Sequence, residues 1–355
     1  MRKLISIFFI QDPKIADLID TTDISIIPSL NPDGFEKAHK GSCSGTRQKD
    51  GKHNGNDVDL AKSFPTWKEK EEFDTNLDYN PFLNREPETE ALMNWSANNP
   101  FVLGLNLHDG AVLVTYPHDY HDNKKDRGPN KTPDQDVFVH LAQTYVTNHK
   151  TLKAKSGCYF KAEGGMANGA QWLAKYKKGA VDGTMKDFSY LFTNSLEISV
   201  GVSCCKYPVR FALFREWRNN KNSLIAFMEQ VHRGVKGVVF LPDNSPVSGA
   251  DLKVWNPDGT LREKNSTTSE KGEYWKVLLP SASPYRMQAV FEDCDGSGLK
   301  YASSKLRVLV TEKSPISTRL IFLRHVGFCD KKSVPAGYEN IVDEFGIFSR
   351  DAGEL

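Results

Sequence analysis

At Gly234 the spacing of apolar residues in this 355-residue chain changes, and a chain that does this does not fold as one uniform unit. Upstream, Ile24–Pro28 and Phe101–Leu107 are short apolar runs suited to strands buried on both faces. Glu88–Trp95 has helical spacing behind Pro87, which suits a helix start. Leu213, Phe214, Trp217, Leu224, Ile225, Phe227, Met228 and Val231 fit one face of a helix that stops at Gly234. Strands alternating with helices predict a sheet covered on both sides. Downstream, Val235–Phe240, Asp251–Trp255, Tyr274–Leu279, Tyr285–Phe291, Lys305–Val310 and Thr318–Leu323 are short β-like segments. Turns at Pro242-Asp243-Asn244, Asn256-Pro257-Asp258-Gly259 and Asp295-Gly296 separate them. They predict a small all-β sandwich of roughly ninety residues. From Val326 the periodicity ends, which predicts a poorly ordered tail. The expected divisions are 1–233, 234–325 and 326–355, with no internal repeat.

Composition narrows the partners. A formal charge of +1 gives no reason to expect a nucleic-acid or membrane-surface partner, and no apolar run reaches the ~18 residues of a spanning helix. Met1-Arg2-Lys3 before Leu4–Ile10 has the outline of a signal peptide. The apolar stretch is short, though, and Gln11-Asp12-Pro13 offers no small-residue cleavage site, so a structural helix is the preferred reading. Cys43, Cys158, Cys204, Cys205, Cys294 and Cys329 form no C-x-x-C pair, and their even number fits disulfides. Sequons at Asn94, Asn130 and Asn265 are compatible with the secretory pathway or an extracellular setting, although the delivering signal is not evident.

Four ordered motifs carry a resemblance. They are Ile26-Ile-Pro-Ser-Leu-Asn31-Pro-Asp-Gly34, Phe101-Val-Leu-Gly-Leu-Asn-Leu-His108-Asp-Gly110, Asn168-Gly-Ala-Gln-Trp172, and the stretch Trp217 to Gly237. Together they span about residues 1–325, and the chain resembles the zinc metallocarboxypeptidases of the carboxypeptidase D/E type. The resemblance implies an α/β/α carboxypeptidase fold, with incomplete N-terminal strands, followed by a small transthyretin-like all-β sandwich. Active relatives remove C-terminal Lys or Arg: zinc polarises the scissile carbonyl and activates water, and a glutamate serves as general base.

Carried over residue by residue, that chemistry is depleted. The family's His-x-x-Glu motif is found nowhere in this sequence, and its expected place lies before Met1. His108 is then the only retained metal-ligand position, and one imidazole is not expected to hold zinc tightly. The general-base position falls at Gly201, which carries no proton-transfer group; Glu197, four residues earlier, lies about 13 Å away along an extended strand. The asparagine–arginine pair for the substrate carboxylate falls at Ala61-Lys62, and the oxyanion arginine at Lys52. Lysine keeps the charge but loses the bidentate fork. The tyrosine that closes over substrate falls at Leu173, with Tyr176 as an alternative alignment, and the glutamine of the basic-side-chain pocket falls at Lys186. A lysine at that position is expected to repel a Lys or Arg end.

Met185-Lys186-Asp187 and the vicinal Cys204-Cys205 resemble the third, non-catalytic repeat of carboxypeptidase D-type chains. The resemblance also implies the pairs Cys158–Cys204 and Cys43–Cys205, which leaves Cys294 with Cys329. Two functions follow as expectations. The first is a catalytically inactive module that binds a peptide, a protein or other carboxypeptidase repeats of a longer chain. The second is an active zinc carboxypeptidase, if a longer protein supplies His-x-x-Glu. Sheet edges left open by the missing first strands predict poor solubility when the chain is made alone.

Overall fold

The computed structural model describes residues 12–41, 43, 51–76, 79–121, 127–153, 158, 161–176, 181–294 and 296–329, and these divide into two compact units at Arg233/Gly234. The signal-or-helix reading of the first ten residues lies outside them. The first unit is mixed α/β. Its helices begin where the sequence supplies caps. The Asp12 side chain accepts from Lys14 N–H to open α1 (Pro13–Thr21), and Asn31 accepts from Gly34 N–H to open α2 (Pro32–Lys37). A Thr66/Glu69 capping box opens α3 (Trp67–Thr75), and proline at the first turn opens α4 (Pro87–Ala97).

Four strands form the sheet of this unit: β1 (Leu103–His108), β2 (Ala111–Tyr116), β3 (Lys161–Asn168) and β4 (Leu196–Ser203), in the order β1-β4-β2-β3. β1 runs parallel to β4, β4 antiparallel to β2, and β2 parallel to β3. β2 and β4 are central and buried, whereas β1 stands at the end of the order and is only half-buried. Helix α5 (Gln135–Asn148) seats Val137, Phe138, Leu141, Ala142, Tyr145 and Val146 in the interior. α6 (Gly169–Tyr176) follows β3 directly, and α7 (Met185–Phe192) leads into β4. Phe188 of α7 joins Phe64, Leu92 and Met93 in a core cluster; burying each such side chain contributes about 2 kcal/mol.

Two upstream expectations are corrected. Ile24–Pro28 is not a strand, and Ile26 is 68% exposed. No strand among the described residues offers it a ladder, so a run of strand-like composition stays outside the sheet. The long helix α8 (Arg210–Met228) forms and continues as a 3-10 turn to His232, but Leu213, Phe214 and Trp217 face solvent. Its buried residues are Ala212, Asn220, Ser223 and Phe227. The polar ones are satisfied by α5: Tyr145 Oη donates to Asn220 Oδ1 at 2.7 Å, and Ser223 Oγ to Tyr145 O at 2.8 Å.

The second unit is all β. One sheet has the order β13-β10-β9-β6-β7, with β11 also paired to β9; the other is β12-β5-β8. The strands are β5 (Gly234–Phe240), β6 (Asp251–Trp255), β7 (Ser266–Thr267), β8 (Glu273–Lys276), β9 (Tyr285–Asp293), β10 (Leu299–Ala302), β11 (Leu306–Val308), β12 (Ile316–Phe322) and β13 (Arg324–Phe328). Val239, Leu252, Tyr274, Met287, Val308 and Ile321 from both sheets share one core. The aperiodic stretch from Val326 therefore begins inside a strand, which pairs with β10 and precedes the Cys294–Cys329 disulfide.

Candidate active site

His108 is the last residue of β1, and its Cα partner across the parallel ladder is Gly201 of β4. Gly201 in turn faces Leu113 across the antiparallel β2 ladder. The strands thus bring the retained imidazole and the side-chain-free position side by side. His108 is exposed at the end of its strand. Protein packed around its ring, reinforced by the charges of Lys186, Lys206 and Lys52, still holds its pKa below the ordinary histidine value. Its Nδ1 lies 3.3 Å from the Asp109 carbonyl oxygen.

Gly201 is more than a missing side chain. A Cβ placed there would lie 2.7 Å from the Ala111 carbonyl oxygen and 2.9 Å from the Ala111 Cβ. β2 has closed over the space in which a carboxylate at 201 would begin. Glu197, four residues earlier on β4, does not take that place either. It is buried, accepts from Ser189 Oγ at 2.7 Å and stands opposite Gly104, and burial pushes its pKa up to about 7.

The lysines are distributed unequally. Lys52 and Lys62 converge on one carboxylate, Asp59: Lys52 forms an ion pair with it, and the Lys62 ammonium lies 3.9 Å away. An isolated bridge between His53 and Asp59 sets the carboxylate beside Lys52, and the 3-10 turn Leu60–Lys62 begins directly after it. Two ammonium groups on one carboxylate leave a net positive charge around Asp59. Lys186 is different: it is buried, with its ammonium 2.8 Å from Asp119 Oδ2 and 3.0 Å from Thr115 Oγ1. The charge of Lys186 is thus compensated within the protein. Leu173 stands apart from these groups, buried in α6, and the alternative Tyr176 donates to the Lys161 carbonyl at 2.9 Å.

A zinc ion requires three protein donors in most catalytic sites. Among the described residues no three His, Cys, Asp or Glu side chains are assembled to hold a metal, and the cations acting on His108 would oppose a dication. The described donor set does not fit zinc. All three expected disulfides are present: Cys43–Cys205, Cys158–Cys204 and Cys294–Cys329. The first two fasten the segments at 43 and 158 to the end of β4. Residues that the sequence reading missed are Ala111, Thr115 and Asp119. No local spacing marks them, because each meets its partner only through the sheet or through α7.

Comparison with known proteins decides the family. A profile described as zinc carboxypeptidase matches residues 1–223. This chain belongs to the zinc carboxypeptidase family. It is similar to carboxypeptidase D of Rattus norvegicus (38% identical over 299 residues, 81% of this chain and 20% of the relative). Carboxypeptidase Z of Gallus gallus is 31% identical over 355 residues, 95% of this chain and 52% of the relative. Carboxypeptidase M of Mus musculus is 36% identical over 278 residues, 77% of this chain and 57% of the relative. The chain therefore spans about a fifth to somewhat over half the length of these zinc carboxypeptidase relatives.

Proposed function

We propose that this zinc carboxypeptidase-family chain is a non-catalytic module that binds peptide or protein ends. The observation that carries the reading is the His108–Gly201 pair: an imidazole opposite a glycine whose missing side chain has no room to return past Ala111. Loss of a general base alone lowers a rate by about 10²–10⁴. The unbalanced charge of Lys52 and Lys62 on Asp59 supports an anionic ligand group, such as a peptide α-carboxylate, at the rim. Three disulfides support a secretory or extracellular setting. The second unit, with two sheets on one core, is in this reading the family's transthyretin-like sandwich. The small share of carboxypeptidase D that the chain covers supports repeats of a longer chain as partners.

A competing reading, an active zinc carboxypeptidase completed by a His-x-x-Glu from a longer protein, is favoured by the names of the relatives and by His108 at its strand end. One experiment separates the two. The longer protein that carries this chain, and the chain alone, are each incubated with zinc and with dansylated peptides ending in a free or an amidated carboxyl. The binding module retains the free-carboxyl peptide, binds the amide several-fold more weakly and releases no amino acid. Amino-acid release that a chelator abolishes and that His108→Ala lacks would establish the enzyme instead.

A further inference from the structure

Helical spacing assigns Leu213, Phe214 and Trp217 to a buried face of α8, yet all three stand in solvent, joined there by Phe211 at 84% exposure. These four large apolar side chains lie within seven residues, roughly 9 Å along the helix axis. Apolar side chains grouped in this way on a folded surface mark a place of contact. Phe35, itself exposed, packs on Tyr207 with ring centroids 5.2 Å apart, and so carries the apolar ground past the start of the helix.

The charge around these rings is one-sided. From Arg210 to Lys221 the helix carries Arg210, Arg215, Arg218 and Lys221 against Glu216 alone. Glu216 is half-buried and already meets Arg215 at 3.1 Å. Arg210 and Arg218 are exposed and have no carboxylate partner among the described residues. Arg218 lies over the Phe214 ring, its guanidinium carbon 5.8 Å from the centroid. No side chain caps the start of α8, so its first N–H groups add to the positive charge at that end. The formal charge of +1 for the whole chain conceals this local excess.

Rings and guanidinium groups are interleaved on this face. Arg210, Phe214 and Trp217 follow the i, i+4, i+7 spacing of one stripe, and Phe211, Phe214 and Arg218 the i, i+3, i+7 spacing of the next. A lipid headgroup layer answers both kinds of side chain at once. It deforms around rings that stand out singly, while its phosphates meet arginines that reach back past them. A protein partner would have to supply a hollow for each ring and an anion beside it. We propose that the first two turns of α8 dock on an anionic lipid surface. Phe211, Phe214 and Trp217 enter the headgroup region, and Arg210, Arg215 and Arg218 pair with its phosphates. This docking stands apart from the peptide-binding reading and is tested without it.

The whole chain is floated with vesicles of phosphatidylcholine alone and of phosphatidylcholine with phosphatidylserine in equal parts. The native protein is compared with F211S/F214S, R210Q/R215Q/R218Q and W217F. Every substituted position is exposed, so each variant keeps the native melting temperature. The native chain binds the phosphatidylserine vesicles at least about tenfold more tightly than the neutral ones. R210Q/R215Q/R218Q lowers that binding by about a hundredfold, and F211S/F214S by about tenfold or more. Lipids brominated at the upper end of the acyl chain quench the tryptophan fluorescence of the bound native chain, and W217F loses most of that quenching.

Native-level binding by F211S/F214S reduces the attraction to general electrostatics and overturns the docking. Quenching undiminished in W217F overturns it as well, because the contact then lies elsewhere on the molecule. Absence of the native chain from both floated fractions overturns it too. A concentration-dependent dimer that F211S/F214S abolishes, in a chain that ignores vesicles, would assign the face to a second copy instead.

Discussion

Two positions of β4 only four residues apart, Gly201 towards its outer end and Glu197 towards its inner end, contrast sharply. At its outer end, Gly201 meets His108 in a setting of lysines, without a carboxylate side chain of its own. At its inner end, Glu197 belongs to a buried group of three acidic side chains, with Asp119 and Asp187, beside the Lys186 ammonium. In this part of the fold acidic side chains stand where Lys186 meets Asp119 and Ser189 meets Glu197, and none is carried at 201. The contrast separates charge that holds the structure from charge that performs chemistry.

The most severe test removes the cation at the inner end. Lys186→Met keeps the apolar stem but leaves Asp119 buried without its partner, and loss of about 3–5 kcal/mol is expected in urea unfolding. D119N combined with K186M should recover much of that loss. A single-variant loss below about 1 kcal/mol would mean that the inner group is solvated, and the contrast would dissolve.

The next test uses pH. Burial raises the Glu197 pKa from 4.5 to about 7, so the folded state keeps a proton that the unfolded chain releases. Its contribution is complete below about pH 4.5 and is lost as pH rises to about 7. His149 has the opposite sign: burial lowers its pKa from 6.5 to about 4, so its contribution is present above pH 6.5 and is lost as pH falls towards 4. Between about pH 4.5 and 6.5 the two slopes oppose each other. Asp109, raised to about 7 by burial and by Glu216, adds to the Glu197 slope and is unchanged by the substitution. Glu197→Gln removes one of the two falling slopes, so stability should fall less with pH across this window, and the variant should gain at most about 3 kcal/mol relative to the native chain at pH 8. Urea midpoints between pH 4 and 8 measure it, and coincident profiles for both proteins would count against a buried, protonated Glu197.

The mildest test is at the outer end. Gly201→Ala places a single carbon against Ala111 and should cost about 1–3 kcal/mol in thermal or urea unfolding. A neutral or stabilising result would show that β2 yields easily, and the outer end would then be an open vacancy.

Much of this architecture was legible before the coordinates. The segments of the second unit read well because their apolar residues alternate between a shared core and solvent, as Leu252 and Val254 do in β6. β10 and β13 escaped notice: Gly298 precedes one, Gly327 lies within the other, and the ladder between them together with Cys294–Cys329 supplies what composition lacks. The buried face of α8 was misread because Asn220 and Ser223 are hidden by hydrogen bonds to Tyr145, a residue remote in sequence. At the site, Gly201 and His108 were visible through motif order. The obstruction by Ala111 and the Asp119 partner of Lys186 were not, since both arise from pairings that only the folded sheet creates.

The closure of β2 over residue 201 bears on how such a chain could change over time. A codon change that placed glutamate there would bring a packing penalty, because its Cβ would meet the Ala111 backbone and side chain. A larger side chain at 201 is thus tied to Ala111, and accommodating one requires a coordinated change on β2 as well as on β4.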